Sequence, residues 1–190
     1  MTIPLRRISR FLTLPLIALA LASCGSSDAE NDVAKRAATS NPQSKQSTAT
    51  AASGLAATPV YDLNGRPRDL SQWIGKRPVV VNFWGTWCGP CRREIPGLVK
   101  LYLEYQPQGV EIISLAVKDY PQQVRAFAER AGMSWVHMMA TNESVKAFRL
   151  TGSVPTTIFL DASGNEVARF IGAQDYDTFK GAFAAIAPAS

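Results

Sequence analysis

The chain has 190 residues, 46% hydrophobic and 18% charged, with four Trp, eight Phe and five Tyr; that supports one domain with appendages and excludes wholesale disorder. No apolar run reaches the ~20 residues of a membrane-spanning helix, and three Cys are too few for a dense disulfide scaffold. The net charge of +5 gathers at the start, where Arg6, Arg7 and Arg10 stand without an acid; from Thr58 onward 14 basic and 12 acidic residues leave only +2, and no basic block marks a nucleic-acid footprint.

Residues 1–23 have the anatomy of a secretory signal: a basic stretch to Arg10, an apolar one from Phe11 to Ala22, then small residues. Leu21-Ala22-Ser23-Cys24 resembles the lipobox of bacterial lipoproteins. The resemblance implies cleavage before Cys24, diacylglycerol on its Sγ and an anchor of several acyl chains, where one chain alone binds only marginally. An ordinary signal with a chance cysteine is the alternative. Arg6-Arg7 resembles a twin-arginine signal, although the surrounding residues fit the general secretory route better. Residues 24–57 are built from Ser, Ala, Thr, Asn and Gln without an aromatic residue, and such a segment predicts a flexible tether.

Residues 58–190 alternate in period. Val60 to Leu63 and Arg68 to Leu70 flank Asn64-Gly65, a hairpin signal. Pro78 to Phe83 and Val110 to Val117 read as buried strands, with a helix from near Cys88 to Tyr105 between them. Pro121 to Ala131 predicts an amphipathic helix opening on Pro, Trp135 to Met139 a strand and Glu143 to Leu150 a short helix. Thr156 to Leu160 and Glu166 to Ile171 form a second hairpin signal, and Asp175 to Ile186 a closing helix. The predicted fold class is α/β: a central mixed sheet flanked by helices, with an N-terminal β-hairpin extension.

The most specific motif is Trp84-Gly85-Thr86-Trp87-Cys88-Gly89-Pro90-Cys91. Two thiols separated by two residues, after a strand and opening a helix, suit reversible disulfide chemistry. The helix N-terminus offers unpaired N–H groups to the Cys88 sulfur and favours its thiolate. Cys91, a turn along, is placed to attack the other sulfur, and Pro90 is tolerated in the first turn. A zinc half-site would need more ligands, yet the remaining Cys is Cys24 and the single His is His137. A structural disulfide is also compatible with the spacing.

Thr58 to Ala187 resembles a thioredoxin-fold domain and, within that fold, the TlpA/ResA group of membrane-tethered thiol–disulfide reductases. The likeness rests on Val81-Asn82-Phe83-Trp84, on Trp87 to Cys91, on Val154-Pro155-Thr156, and on the two hairpins. It implies a redox-active Cys88–Cys91 pair as the working group, with no separate cofactor or metal. It implies a cis Pro155, with Val154 beside the cysteines, and a substrate seat that includes Trp87, Gly89, Pro90 and Val154. Glu94, three residues after Cys91, shares its helix face; buried there, its carboxylate would have a raised pKa and could take the Cys91 proton. A solvated surface Glu compensating Arg92 or Arg93 is the alternative. Asn82 departs from thioredoxin, which carries a buried Asp at that strand position, and an amide cannot titrate.

Gly89-Pro90 between the cysteines matches reducing members of the fold. The resemblance therefore implies reduction of disulfides in envelope proteins, apocytochrome c among the candidates, facing the periplasm or extracytoplasmic space. A transmembrane thiol reductase would supply the electrons. A disulfide oxidant of the same fold is one alternative. A copper-handling protein is another, since His137-Met138-Met139 offers soft ligands, although alternate strand residues point to opposite faces. A peroxidase would need a pattern around its cysteine that is not found here.

Overall fold

The computed structural model describes residues 52–188. The predicted signal over 1–23, the acylation site Cys24 and the tether as far as residue 51 lie outside them. The tether's last residues are folded: 52–56 form a helical turn, Ala52 is buried, and the Ala56 carbonyl accepts the Leu70 N–H at 2.8 Å. A packed turn thus precedes the boundary expected at Thr58. Ala52, Leu55 and Ala56 supply the apolar contacts, in a run too short to register as a periodicity.

The strands are β1 (Val60–Asp62), β2 (Pro67–Arg68), β3 (Val79–Trp84), β4 (Glu111–Ala116), β5 (Val136–Met139), β6 (Thr156–Leu160) and β7 (Glu166–Ile171). They form one mixed sheet in the order β2-β1-β5-β4-β3-β6-β7, in which β3, β4 and β5 run parallel. β6 joins β3, and β1 joins β5, antiparallel. The longer helices are α1 (Gly89–Tyr105), α2 (Pro121–Ala131) and α4 (Tyr176–Ile186), with a short α3 (Asn142–Ala147). The predicted elements recur within a few residues. The second arm of the first hairpin is shifted, because Leu70 is fully buried and leaves the strand.

The pleat sends alternate residues to two cores. Val79, Val81 and Phe83 join Ile113, Leu115, Ile158 and Phe148 on one face; Val80 and Trp84 join Ile112, Phe159, Leu98 and Phe183 on the other. A polar row crosses the second face. Thr157 pairs with Asn82 in register, Asn82 with Ser114, and Ser114 with His137. All except the half-buried His137 are at most 1% exposed.

Helix α1 lies over that row. Its buried residues Cys91, Glu94, Ile95, Leu98, Leu101, Tyr102 and Tyr105 recur at helical spacing. Pro96 in its interior deprives the Arg92 carbonyl of a partner, a cost of about 3 kcal/mol. Ile95, Leu98 and Leu101 are each at most 2% exposed, and burial of such side chains contributes about 1.5–3 kcal/mol apiece. Packing outweighs the defect, so the helix continues through it.

Candidate active site

Strand β3 ends at Trp84, and the loop Gly85–Trp87 delivers Cys88 to the N-cap position of α1. There Cys88 has extended backbone (φ −86°, ψ 106°), and its sulfur accepts the Cys91 N–H at 3.2 Å, the bond that a Ser or Asp oxygen makes at other helix starts. Cys88 and Cys91 are joined as a disulfide, with Cα atoms 5.3 Å apart. Cys91 is fully covered, while Cys88 keeps 4% of its surface. The expected order of accessibility holds, but the outer sulfur is far more sheltered than its place at a helix mouth suggests. Neighbouring Trp87 is 56% exposed, and Gly89 and Pro90 are exposed as well.

The Val154–Pro155 bond is cis, and the Val154 carbonyl oxygen lies 3.6 Å from Cys88 Sγ. In the disulfide that sulfur carries no proton, so the approach is a contact; a reduced, protonated Cys88 has a hydrogen to place there. For a thiolate the two neighbours oppose each other, because the Cys91 N–H stabilises the charge and the carbonyl lone pairs repel it. Trp87, Val117, Val145, Leu150 and Val154 line an adjoining, mainly apolar groove of about 250 Å³.

Glu94 is 4% exposed, beneath the pair on α1. Burial pushes its pKa up from 4.5 to about 7, opposed by the Asn82 amide and then by the backbone N–H of Gln174. Asn82 Nδ2 donates to Glu94 Oε1 at 3.1 Å and to Thr157 Oγ1 at 2.9 Å. Among the described residues, Glu94 Oε2 and Asn82 Oδ1 have no hydrogen-bond partner. The Asn82 amide and the Gln174 N–H are too little to offset the lost hydration of a carboxylate. Glu94 can therefore hold or release a proton near neutrality, and Asn82 orients it without titrating.

Asp119 was not visible as a site residue in the sequence. It stands 33 residues from Thr86, and its carboxylate accepts both the Thr86 N–H at 2.6 Å and the Thr86 hydroxyl at 3.0 Å. It also accepts the Tyr120 N–H at 2.8 Å, while Trp87 Nε1 donates to the Val117 carbonyl at 3.1 Å. Lys118, between them, has φ 50°, a left-handed backbone uncommon outside Gly, Asn and Asp. These contacts tie the loop carrying the cysteines to the connection after β4. An Asp two residues before a helical Pro reads from sequence as local turn chemistry; its real partner comes from another strand's loop.

The His137-Met138-Met139 run does not converge. Met138 joins one core and Met139 the other, while His137 stacks near Trp84 and Trp135 with Nε2 3.0 Å from the Met133 carbonyl oxygen. Among the described residues no three His, Cys, Asp or Glu side chains gather as a metal site. Burial depresses the His137 pKa, partly countered by that contact with the Met133 carbonyl.

A family profile described as the AhpC/TSA family matches residues 49–184. The thiol-disulfide oxidoreductase ResA of Geobacillus thermodenitrificans is 42% identical over 103 residues, 54% of this chain and 59% of the relative. That of Bacillus thuringiensis strain Al Hakam is 33% identical over 129 residues, 68% of this chain and 74% of the relative. The chain thus spans only about six-tenths of the length of the Geobacillus relative. Among solved structures, a thiol:disulfide interchange protein of the thioredoxin family from Chlorobium tepidum TLS superposes with a TM-score of 0.59 at 29% identity. That match covers 69% of this chain and 95% of the other.

Proposed function

Because the chain belongs to the AhpC/TSA family and resembles ResA proteins, we propose that it is a thiol–disulfide oxidoreductase that reduces disulfides in other proteins. The observation that carries the reading is the placement of Cys88 at the N-cap of α1, bonded to a buried Cys91 with Glu94 beneath. In the reduced protein the Cys88 thiolate attacks one sulfur of a substrate disulfide, forming a mixed disulfide and expelling the other sulfur as thiolate. Cys91 then gives its proton to the Glu94 carboxylate and attacks Cys88 Sγ. The Cys88–Cys91 bond forms, the substrate's second thiolate leaves, and two electrons have passed to the substrate.

Glu94 fits that exchange because its pKa of about 7 lets it accept a proton and return it at neutral pH. The Val154 backbone, beside Cys88, is the edge against which a substrate strand would lie, with Trp87, Gly89 and Pro90 as the opposite rim. The signal over 1–23 and acylation at Cys24 would tether this domain to a membrane on its outer side. A transmembrane thiol reductase would then return the electrons. Envelope proteins with oxidised cysteines, apocytochrome c included, are the substrate class.

The test is turnover of a protein disulfide by the full chain with a thiol electron supply. Cys88→Ser is expected to abolish it, and Cys91→Ser to accumulate a mixed disulfide that a reductant releases. Retained turnover in Cys88→Ser would overturn the assignment. The Cys88–Cys91 potential decides direction: about −270 mV marks a reductase and about −120 mV an oxidant.

A further inference from the structure

Residues of α1 and α2, with Thr86, line a second, open groove of about 650 Å³. It begins at Thr86 and Arg92, on either side of the disulfide in sequence, and runs along α2 through Ala126 and Phe127 to Arg130. Gln123, Ala126, Phe127 and Arg130 recur at helical spacing, so they present one face of α2. Phe127 is anchored below, its ring 5.5 Å from that of Trp84.

The charged side chains that line this groove are both cationic. Arg92 and Arg130 are its charged lining groups, both exposed, and neither belongs to an ion pair among the described residues. Arg93 follows Arg92 on α1, and Lys118 lies in the connection beyond Thr86. Of the nearby carboxylates, Glu94 is buried and Glu129 lines a different groove, while Asp119 keeps its charge behind Thr86, held by the Thr86 and Tyr120 donors. Arg92 and Arg93 also stand near the N-terminus of α1, whose first turn has no acid, where the helix dipole disfavours cations. Placing two there runs against helix stability and serves something beyond the fold.

We infer that this groove docks an acidic segment of the disulfide-bearing partner, lying along α2 with its carboxylates against Arg92 and Arg130 while its disulfide meets Cys88. The inference rests on the oxidoreductase reading and narrows its substrate class. Thr86 and Arg92, at one end of the groove, flank the disulfide in sequence, so a partner engaged at Cys88 has the groove beside it, and the two arginines hasten encounters with partners of negative charge.

Two cystine-bridged peptides distinguish the outcomes, identical except for three Asp or three Lys beside one cysteine. Each is given to the full chain at low ionic strength, and kcat/KM is compared. The acidic peptide is expected to lead by about fivefold, as two exposed ion pairs allow, and the lead to collapse near 1 M salt. Arg130→Glu, at an exposed helix end, is expected to cancel or invert the ratio, and Arg130→Gln to lower it. A ratio near one in the unmodified chain, or one that Arg130→Glu leaves unchanged, overturns the inference while the oxidoreductase reading stands. Failure to reduce either peptide sinks both.

Discussion

Replacing Glu94 with Gln isolates the buried carboxylate, because the amide keeps its shape and cannot ionise. In the folded chain the Glu94 pKa is about 7 against an ordinary 4.5. Between those two values the native protein retains a proton that the unfolded chain has released. Stability must therefore fall as pH rises across that window and level off above it. At ~1.36 kcal/mol per pH unit the displacement corresponds to about 3 kcal/mol. Urea unfolding of the oxidised protein from pH 4 to pH 8 measures it, with the cysteines locked and silent. The Glu94→Gln variant is expected to gain about 3 kcal/mol relative to the parent between the ends of that range. Other groups titrate in both proteins and cancel in the difference. The same substitution should erase an ionisation near pH 7 from the rate at which Cys91 resolves the mixed disulfide. A difference in stability that stays flat with pH would show that Glu94 ionises as a surface carboxylate does, and would remove it from the proton path.

Asn82→Asp puts a second carboxylate where the amide nitrogen stands 3.1 Å from Glu94; the pair cannot hold two charges, so its upper apparent pKa should exceed 7 and the stability lost relative to the parent should be greater at pH 8 than at pH 5 by on the order of 2 kcal/mol. Equal losses at both pH values would contradict that contact. Asp119→Ala removes the acceptor for Thr86 and Tyr120 and should cost about 1–3 kcal/mol, with hydrogen exchange at the Thr86 amide faster by at least roughly tenfold; unchanged protection there would mean that another contact holds the loop. Gly164→Ala combines φ +83° with a Cβ only 2.8 Å from Ala52 Cβ, whereas Gly65→Ala at φ +76° meets open space. The first should destabilise by ~1–3 kcal/mol more than the second, and equal thermal shifts would show that residues 52–56 do not pack there.

What the sequence disclosed was local. The pleat of Val79 to Trp84, the Cys88 N-cap, and Glu94 three residues beyond Cys91 are relations within one strand or one turn. Periodicity reports such relations directly. Even the expected burial of Glu94 used only its helix face, since a carboxylate over a sheet is buried if the sheet is there. The packed turn over 52–56, ahead of Thr58, escaped notice for the same reason, because a single helical turn is too short to show a period.

The remaining parts of the site come from separate elements that the fold brings together. Asn82 reaches Thr157 across 75 residues and Thr86 reaches Asp119 across 33. Asn82 is the instructive case. Alone on β3 it looks like a polar defect in an apolar strand, yet its register partners are Ser114 on one side and Thr157 on the other. The sheet therefore carries a polar row directly under α1, and Glu94 descends onto that row rather than onto hydrocarbon. A fully apolar floor would keep the carboxyl protonated well above neutral pH, and a solvated one would hold it near 4.5. The Asn82 amide and the Gln174 N–H place it between the two, near neutral pH, where the proposed proton transfer needs it.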